Sequence, residues 1–340
     1  LLLVVALAPA LVAAQEPKAY LSTGAWLRSD DQPSTFGGVT AEGKRALSDR
    51  VWLEGGVEGF RLSAPDAGGR VDGRKAWAGV RAALGRSLSA AVQLGFRRVD
   101  DEDVVLGRVE IARDLAKGTK VVLTAGRDAA LDSAPSYRAA VVVQSLSLAA
   151  RHAGKRWSGA AEVWGLFYED SNTGLVAFAW GERAVLSRGG FSLVAGGAVS
   201  WKDLEESRFR IAEVRSSPLP GGLWGYEYRG VYDPYVTPVE QLEARAHVRL
   251  AQDVAPFRFE VQAEWGAGRD VATGFAPSAG AEPGPGVVVE TTWLRTYQPG
   301  RLRLAAIHRR GSWGVRLELS RALSADYASS SAGLTIDRSF

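Results

Sequence analysis

From Tyr327 to Phe340 the end of the chain alternates: Ala332, Leu334, Ile336 and Phe340 share one parity, and Gly333, Thr335, Asp337 and Ser339 the other. A period of two belongs to an extended strand whose side chains point to opposite faces, here one apolar and one wet. The same rhythm recurs upstream. Leu242, Ala244, Ala246, Val248 and Leu250 oppose Gln241, Glu243, Arg245, His247 and Arg249, and Phe257, Phe259, Val261, Ala263 and Trp265 oppose Arg258, Glu260, Gln262 and Glu264. Trp313, Val315, Leu317 and Leu319 oppose Arg316, Glu318 and Ser320, while Leu88 to Phe96 and Phe191 to Trp201 set apolar residues against Arg97 and Lys202. Each run is about ten residues, the length of a tilted membrane-spanning strand. Beyond residue 14 no apolar run approaches the ~20 residues of a membrane helix.

Composition does not choose a membrane by itself, since 46% hydrophobic residues and a mean hydropathy of −0.06 suit a soluble protein equally well. Alternation decides. The 41 basic and 38 acidic residues give a net charge of +3, spread as a mixture with no basic stripe, so no nucleic-acid partner is expected. Without cysteine the chain is neither a thiol-anchored lipoprotein nor a disulfide scaffold. Leu1 to Ala14 is an apolar run closed by small residues, with Val12 and Ala14 at the −3 and −1 positions of a signal peptide cleaved between Ala14 and Gln15. The basic n-region and initiating Met that usually precede such a run predict a clipped front. Residues 1–14 are thus expected as signal peptide and 15–340 as one barrel domain.

Short turn signals such as Gly85-Arg86, Lys117-Gly118, Gly154-Lys155 and Gly189-Gly190 alternate with longer polar stretches at 64–73, 128–136 and 269–286. Short turns on one side and long loops on the other are the habit of outer-membrane barrels. The parity closes only if residues 287 to 308 form one tall strand bent at Pro299-Gly300. The expected fold is therefore all-β, a transmembrane antiparallel up-and-down barrel of about 18 strands. Sixteen is the alternative, because the pieces near 37–46 and 208–216 are weakly patterned. The eleven tryptophans, spread over nearly as many strands, are expected at the interfacial girdles.

Two segments resemble a particular family, the outer-membrane exopolysaccharide-secretion barrels that export cellulose and poly-N-acetylglucosamine. The stretch from Leu302 carries a strand before the turn at Gly311, a Trp313-Gly314 start, an Asp326-Tyr327 pair and the closing strand. Upstream, Tyr226, Tyr228 and Tyr232-Asp233-Pro234 look like the aromatic-x-Pro loop of the same barrels. Arg338 departs from the pattern, standing where such closing strands carry an aromatic or apolar residue. No tetratricopeptide repeat precedes the first strand in this sequence. The resemblance implies an export channel for a sugar polymer, inserted by the barrel-assembly machinery through Leu334, Ile336 and Phe340. It also implies a separate periplasmic export or scaffold protein.

Catalytic motifs are lacking. The three histidines, His152, His247 and His308, have no metal-ligand spacing, and no nucleophile elbow or phosphate loop occurs. The expectation is a non-enzyme without cofactor or metal. The wet-face residues Arg97, Glu243, Arg245, His247, Arg249, Arg258, Glu260, Glu264, Arg316 and Glu318 are the candidates to line a polymer path, with 269–286 as plug or lid. A diffusion porin is the second reading. The third is a barrel serving as an enzyme or adhesion platform, since a Ser/His/acid set can assemble from distant strands.

Overall fold

A strand in lipid must satisfy its backbone polar groups within the protein, and a sheet closed on itself leaves no edge unpaired. The computed structural model describes residues 18–30, 34–64, 69–130, 141–207, 209–218, 224–232, 238–277, 288–324 and 328–340. Extended segments fill them. In chain order they are β1 (Ala19–Asp30), β2 (Thr35–Ser48), β3 (Val51–Ala64), β4 (Gly69–Ala83), β5 (Leu88–Val99), β6 (Glu102–Ala116), β7 (Thr119–Ala129), β8 (Val142–Ala153), β9 (Trp157–Tyr168) and β10 (Thr173–Arg188). They continue with β11 (Phe191–Leu204), β12 (Phe209–Pro218), β13 (Trp224–Tyr232), β14 (Glu240–Val254), β15 (Phe257–Pro277), β16 (Val288–Tyr297), β17 (Gly300–Arg310), β18 (Trp313–Leu323) and β19 (Ala328–Ser339).

Successive strands pair antiparallel, and β1 closes on β19 in one register from Tyr20↔Ser339 to Asp30↔Ser329. The ring holds 16 strands, the lower of the two expected counts. The difference lies at one place. β11 pairs directly with β14, from Phe191↔Gln252 to Lys202↔Gln241, so the β12–β13 hairpin stands outside the ring. It touches β15 through two parallel pairs, at Phe209 and Arg210. The weakly patterned piece at 208–216 belongs to this hairpin, whereas the one at 37–46 is β2, a ring strand.

The tall strand expected at 287–308 is present. β16 pairs with the upper part of β15 and β17 with the lower part, and Gly268↔Tyr297 and Trp265↔Gly300 obey one register, so the chain descends straight through a break at Gln298-Pro299. Residues 269–277 are not loop, as expected from sequence, but continue β15 as paired strand as far as Pro277↔Val288. Their alternation of Asp270, Ala272 and Gly274 with Val271 and Thr273 was obscured by small residues. The rest of that loop, 278–287, lies outside the described residues. So do most of 64–73 and 128–136, apart from 64 and 69–73, which are strand, and 128–130.

All seven connections at one end of the barrel are short, from two residues at 189–190 to four at 84–87. Gly189 and Gly190 both take positive φ, 58° and 78°, the conformation that a two-residue hairpin matching strand twist requires. Phe340 and the start of β1 lie at this short-turn end, where the Phe340 N–H donates to the Ala19 carbonyl at 2.9 Å.

Outward side chains are apolar: Leu94 and Val105 in β5 and β6 are each 66% exposed, and Leu334, Ile336 and Phe340 also face out. Arg338 shares that outward parity. Its guanidinium lies 4.8 Å from the Trp313 ring centroid and 4.4 Å from that of Phe340, so the cation that departs from the family pattern is held between two aromatic faces at the short-turn rim. Inside, buried apolar side chains gather towards the long-loop end. Phe36, Phe60, Leu62, Val71 and Val99 form one cluster, and Ala130, Val141, Leu166, Tyr168 and Leu204 another.

Candidate functional site: the barrel lumen

With 16 strands spaced ~4.8 Å apart and tilted ~40°, the backbone lies roughly 16 Å from the axis, too far for side chains to fill the interior. What the inward parity carries then decides what the barrel can hold. Contacts that skip a strand identify that face, because only the concave side lets them form. Arg249 on β14 reaches over β11 to Glu182 on β10 at 2.9 Å, and Lys75 on β4 reaches Asp128 on β7 at 3.2 Å.

All ten residues assigned to the wet face by parity are inward. Arg97 lies 3.4 Å from Asp128. Glu243, Arg245 and Glu264 form one chain, with Arg245 hydrogen-bonded to Glu243 and 3.7 Å from Glu264, and the Tyr297 hydroxyl donates to Glu243 at 2.7 Å. Arg258, Glu260, Arg316 and Glu318 form a second chain, completed by Arg303 at 2.6 Å from Glu318. His247 is 6% exposed and packs over Gly196, with Nε2 3.5 Å from Glu182. Acids and bases therefore neutralise one another along the wall. Many pairs join residues two apart on one strand, which share a face.

The tryptophans correct the girdle expectation. Trp157, Trp201, Trp265 and Trp313 do follow the outward parity, and Trp157 stacks on His152 at 3.9 Å near the short-turn end. Trp26, Trp52, Trp77, Trp164 and Trp180 follow the inward parity instead. Trp224 is in β13, outside the ring, and the side chains of Trp224 and Trp293 lie outside the described residues. The inward placement has a local cause. A Cβ added to Gly38 would meet the Trp26 ring at 2.7 Å, and one added to Gly56 would meet Trp77 Nε1 at 2.9 Å. Phe60 covers Gly73 and Tyr297 covers Gly268 in the same way. Each ring thus lies flat on a bare stretch of neighbouring backbone, with its other face towards the lumen. A sequence signal existed: every inward Trp stands two residues from a charge, namely Arg28, Glu54, Lys75, Glu162 or Glu182.

A cavity of about 1200 Å³ occupies the short-turn half of the lumen, between β6 and β11 and against β14 and β15. Trp164, Phe178 and Trp180 line it together with Glu162, Glu182 and Arg249. Glu182 accepts hydrogen bonds from Ser158 at 3.0 Å and Arg249 at 2.9 Å, and faces His247. A hydrolytic triad needs the imidazole between hydroxyl and carboxylate, but here the carboxylate takes the middle position, so His247 does not stand against the Ser158 hydroxyl. Among the described residues no group of His, Cys, Asp and Glu has a metal-binding arrangement. Of the expected family-like loop, Tyr232 closes β13, while Asp233 and Pro234 lie outside the described residues, as do Ala14, Gln15 and residues 1–17.

No family model and no curated protein matches this chain. Solved structures do match its fold. A bacterial polysaccharide outer membrane secretin superposes with a TM-score of 0.68 at 12% identity, covering 96% of this chain and all of the other. CdiB from Acinetobacter baumannii superposes with a TM-score of 0.50 at 9% identity, covering 95% of this chain and 60% of CdiB. The fold is that of bacterial outer-membrane barrels.

Proposed function

We propose that this chain is an outer-membrane channel for export of an exopolysaccharide. The observation that carries the reading is the set of aromatic rings laid flat on the inner wall, each over or beside a small residue and two positions from a charged side chain. Sugar rings present apolar C–H faces and a hydroxyl rim. Flat aromatic faces take the first, and ladders of carboxylates, guanidiniums and amides exchange hydrogen bonds with the second. The likeness in fold to a polysaccharide outer membrane secretin supports the same substrate class. The short-turn end faces the periplasm and the long-loop end the exterior, following the asymmetry of outer-membrane barrels. The channel is passive, polymer synthesis supplies the drive, and a separate periplasmic scaffold protein meets the short-turn rim. Leu334, Ile336 and Phe340 form the signal read by the barrel-assembly machinery.

Deleting the gene should remove polymer from the cell surface and leave it in the periplasm. The wild-type chain should restore export, and a Trp77→Ala/Trp180→Ala variant that assembles normally should not. In planar bilayers the purified barrel should conduct weakly until residues 278–287 are removed. Steady large currents from the intact chain, with surface polysaccharide unchanged on deletion, would instead identify a diffusion porin.

A further inference from the structure

Charge is uneven along the barrel axis. Among the described residues, the connections at the short-turn end hold Arg50, Arg86, Lys117, Lys155 and Arg156 against the single acid Asp49. Those at the long-loop end hold Asp100, Asp101, Glu169, Asp170, Glu205 and Glu206, all exposed, with no Lys or Arg.

The lumen cavity shares this polarity. Nine Arg or Lys residues line it against four acids, and each acid is already matched. Glu182 is paired with Arg249 at 2.9 Å, Glu162 with Arg151 at 3.8 Å and Asp114 with Lys120 at 3.8 Å. Asp128 is taken by Lys75 and Arg97, two cations that are not part of the lining. Lys117, Lys155 and Arg156 are left over at the cavity mouth, with no ion-pair partner among the described residues. Their two turns are fastened side by side, since the Ala153 N–H donates to the Gly118 carbonyl at 2.7 Å. Three unmatched cations at a cleft with low-dielectric walls focus a positive field into it and raise the local concentration of anions. The same cavity presents Trp164 and Trp180 to a ring.

The geometry points to an acidic glycan as the polymer, drawn into the short-turn mouth by Lys117, Lys155 and Arg156 and stacked on Trp164 and Trp180 before it passes the acidic long-loop rim. This assignment rests on the polysaccharide-channel reading above and names its substrate class. The acidic rim disfavours return of a polyanion once it has left, giving the passage a direction without a gate.

Isothermal titration of the purified barrel in an uncharged detergent tests it, with a uronic-acid hexasaccharide and a neutral glucose hexasaccharide as probes. In about 50 mM salt the acidic probe should bind at least about tenfold tighter, and in about 0.5 M salt its advantage should vanish by screening. The Lys117→Gln/Lys155→Gln/Arg156→Gln variant, altered only in exposed turns, should bring the acidic probe to the level of the neutral one and leave the neutral affinity unchanged. Equal affinities of the two probes for the wild-type barrel would overturn the acidic-glycan assignment and leave the channel reading standing. So would an acidic preference that survives in the triple variant. Failure of both probes to bind would overturn the assignment together with the polysaccharide reading.

Discussion

Leu94→Arg is the sharpest test of the barrel in a membrane. Leu94 stands six residues above the short-turn end of β5, points outward and is 66% exposed. At ~3.3 Å per residue and a tilt of ~40°, six residues place it about 15 Å above that end, the middle of a hydrocarbon layer about 25 to 30 Å thick. A guanidinium there should cost ~2 to 4 kcal/mol, or roughly 30- to 800-fold in the folding equilibrium. Leu84 is 61% exposed, nearly as much, but sits in the 84–87 turn, where Arg should cost only ~0 to 1 kcal/mol. The assay is reversible guanidinium unfolding in phospholipid vesicles, followed by tryptophan fluorescence. Equal costs at the two positions would refute the placement of the apolar face in lipid, because exposure alone does not separate them and depth does.

A Cβ on Gly73 would fall 1.9 Å from Phe60 Cζ, so Gly73→Val should destabilise the barrel by ~1 to 3 kcal/mol through overpacking, and adding Phe60→Ala should recover much of the loss in the same unfolding assay. Arg338→Ala removes the cation between Trp313 and Phe340 and should cost about 0.5 to 1 kcal/mol, with vesicle unfolding as the check. Asp72 lies eleven residues above the short-turn end of β4, beyond the membrane-spanning part. Hydrogen bonds from Arg70 and Arg61 hold its carboxyl below the ordinary value of 3.8. A carboxyl lowered in this way contributes stability that is present above the unfolded pKa and lost as pH falls through the folded one. Carboxyl NMR should therefore show Asp72 protonating only below pH 3.8, and Arg61→Gln/Arg70→Gln should return it towards that value.

The facing of the strands was legible because a side-chain period of two is a local property of extended backbone. Glu243, Arg245, His247 and Arg249 could be assigned to one face without knowing any partner strand, and the break in the tall strand announced itself through Pro299-Gly300. The strand count was not local. Residues 209–218 and 224–232 alternate as ring strands do, and only the direct β11–β14 pairing excludes them. The inward tryptophans failed for a mixed reason: parity beside Glu162 or Lys75 places Trp164 and Trp77 inside, but the glycines beneath the rings, such as Gly38 under Trp26, come from other strands.

By itself the sequence determined an all-β wall with a greasy and a wet side, because alternation needs nothing beyond one strand's own geometry. Tertiary structure alone decided how many strands close the ring, which acid meets which base, and that Lys117, Lys155 and Arg156 are left unmatched beside one cavity. Register and curvature bring distant residues together, and neither is written in any single strand.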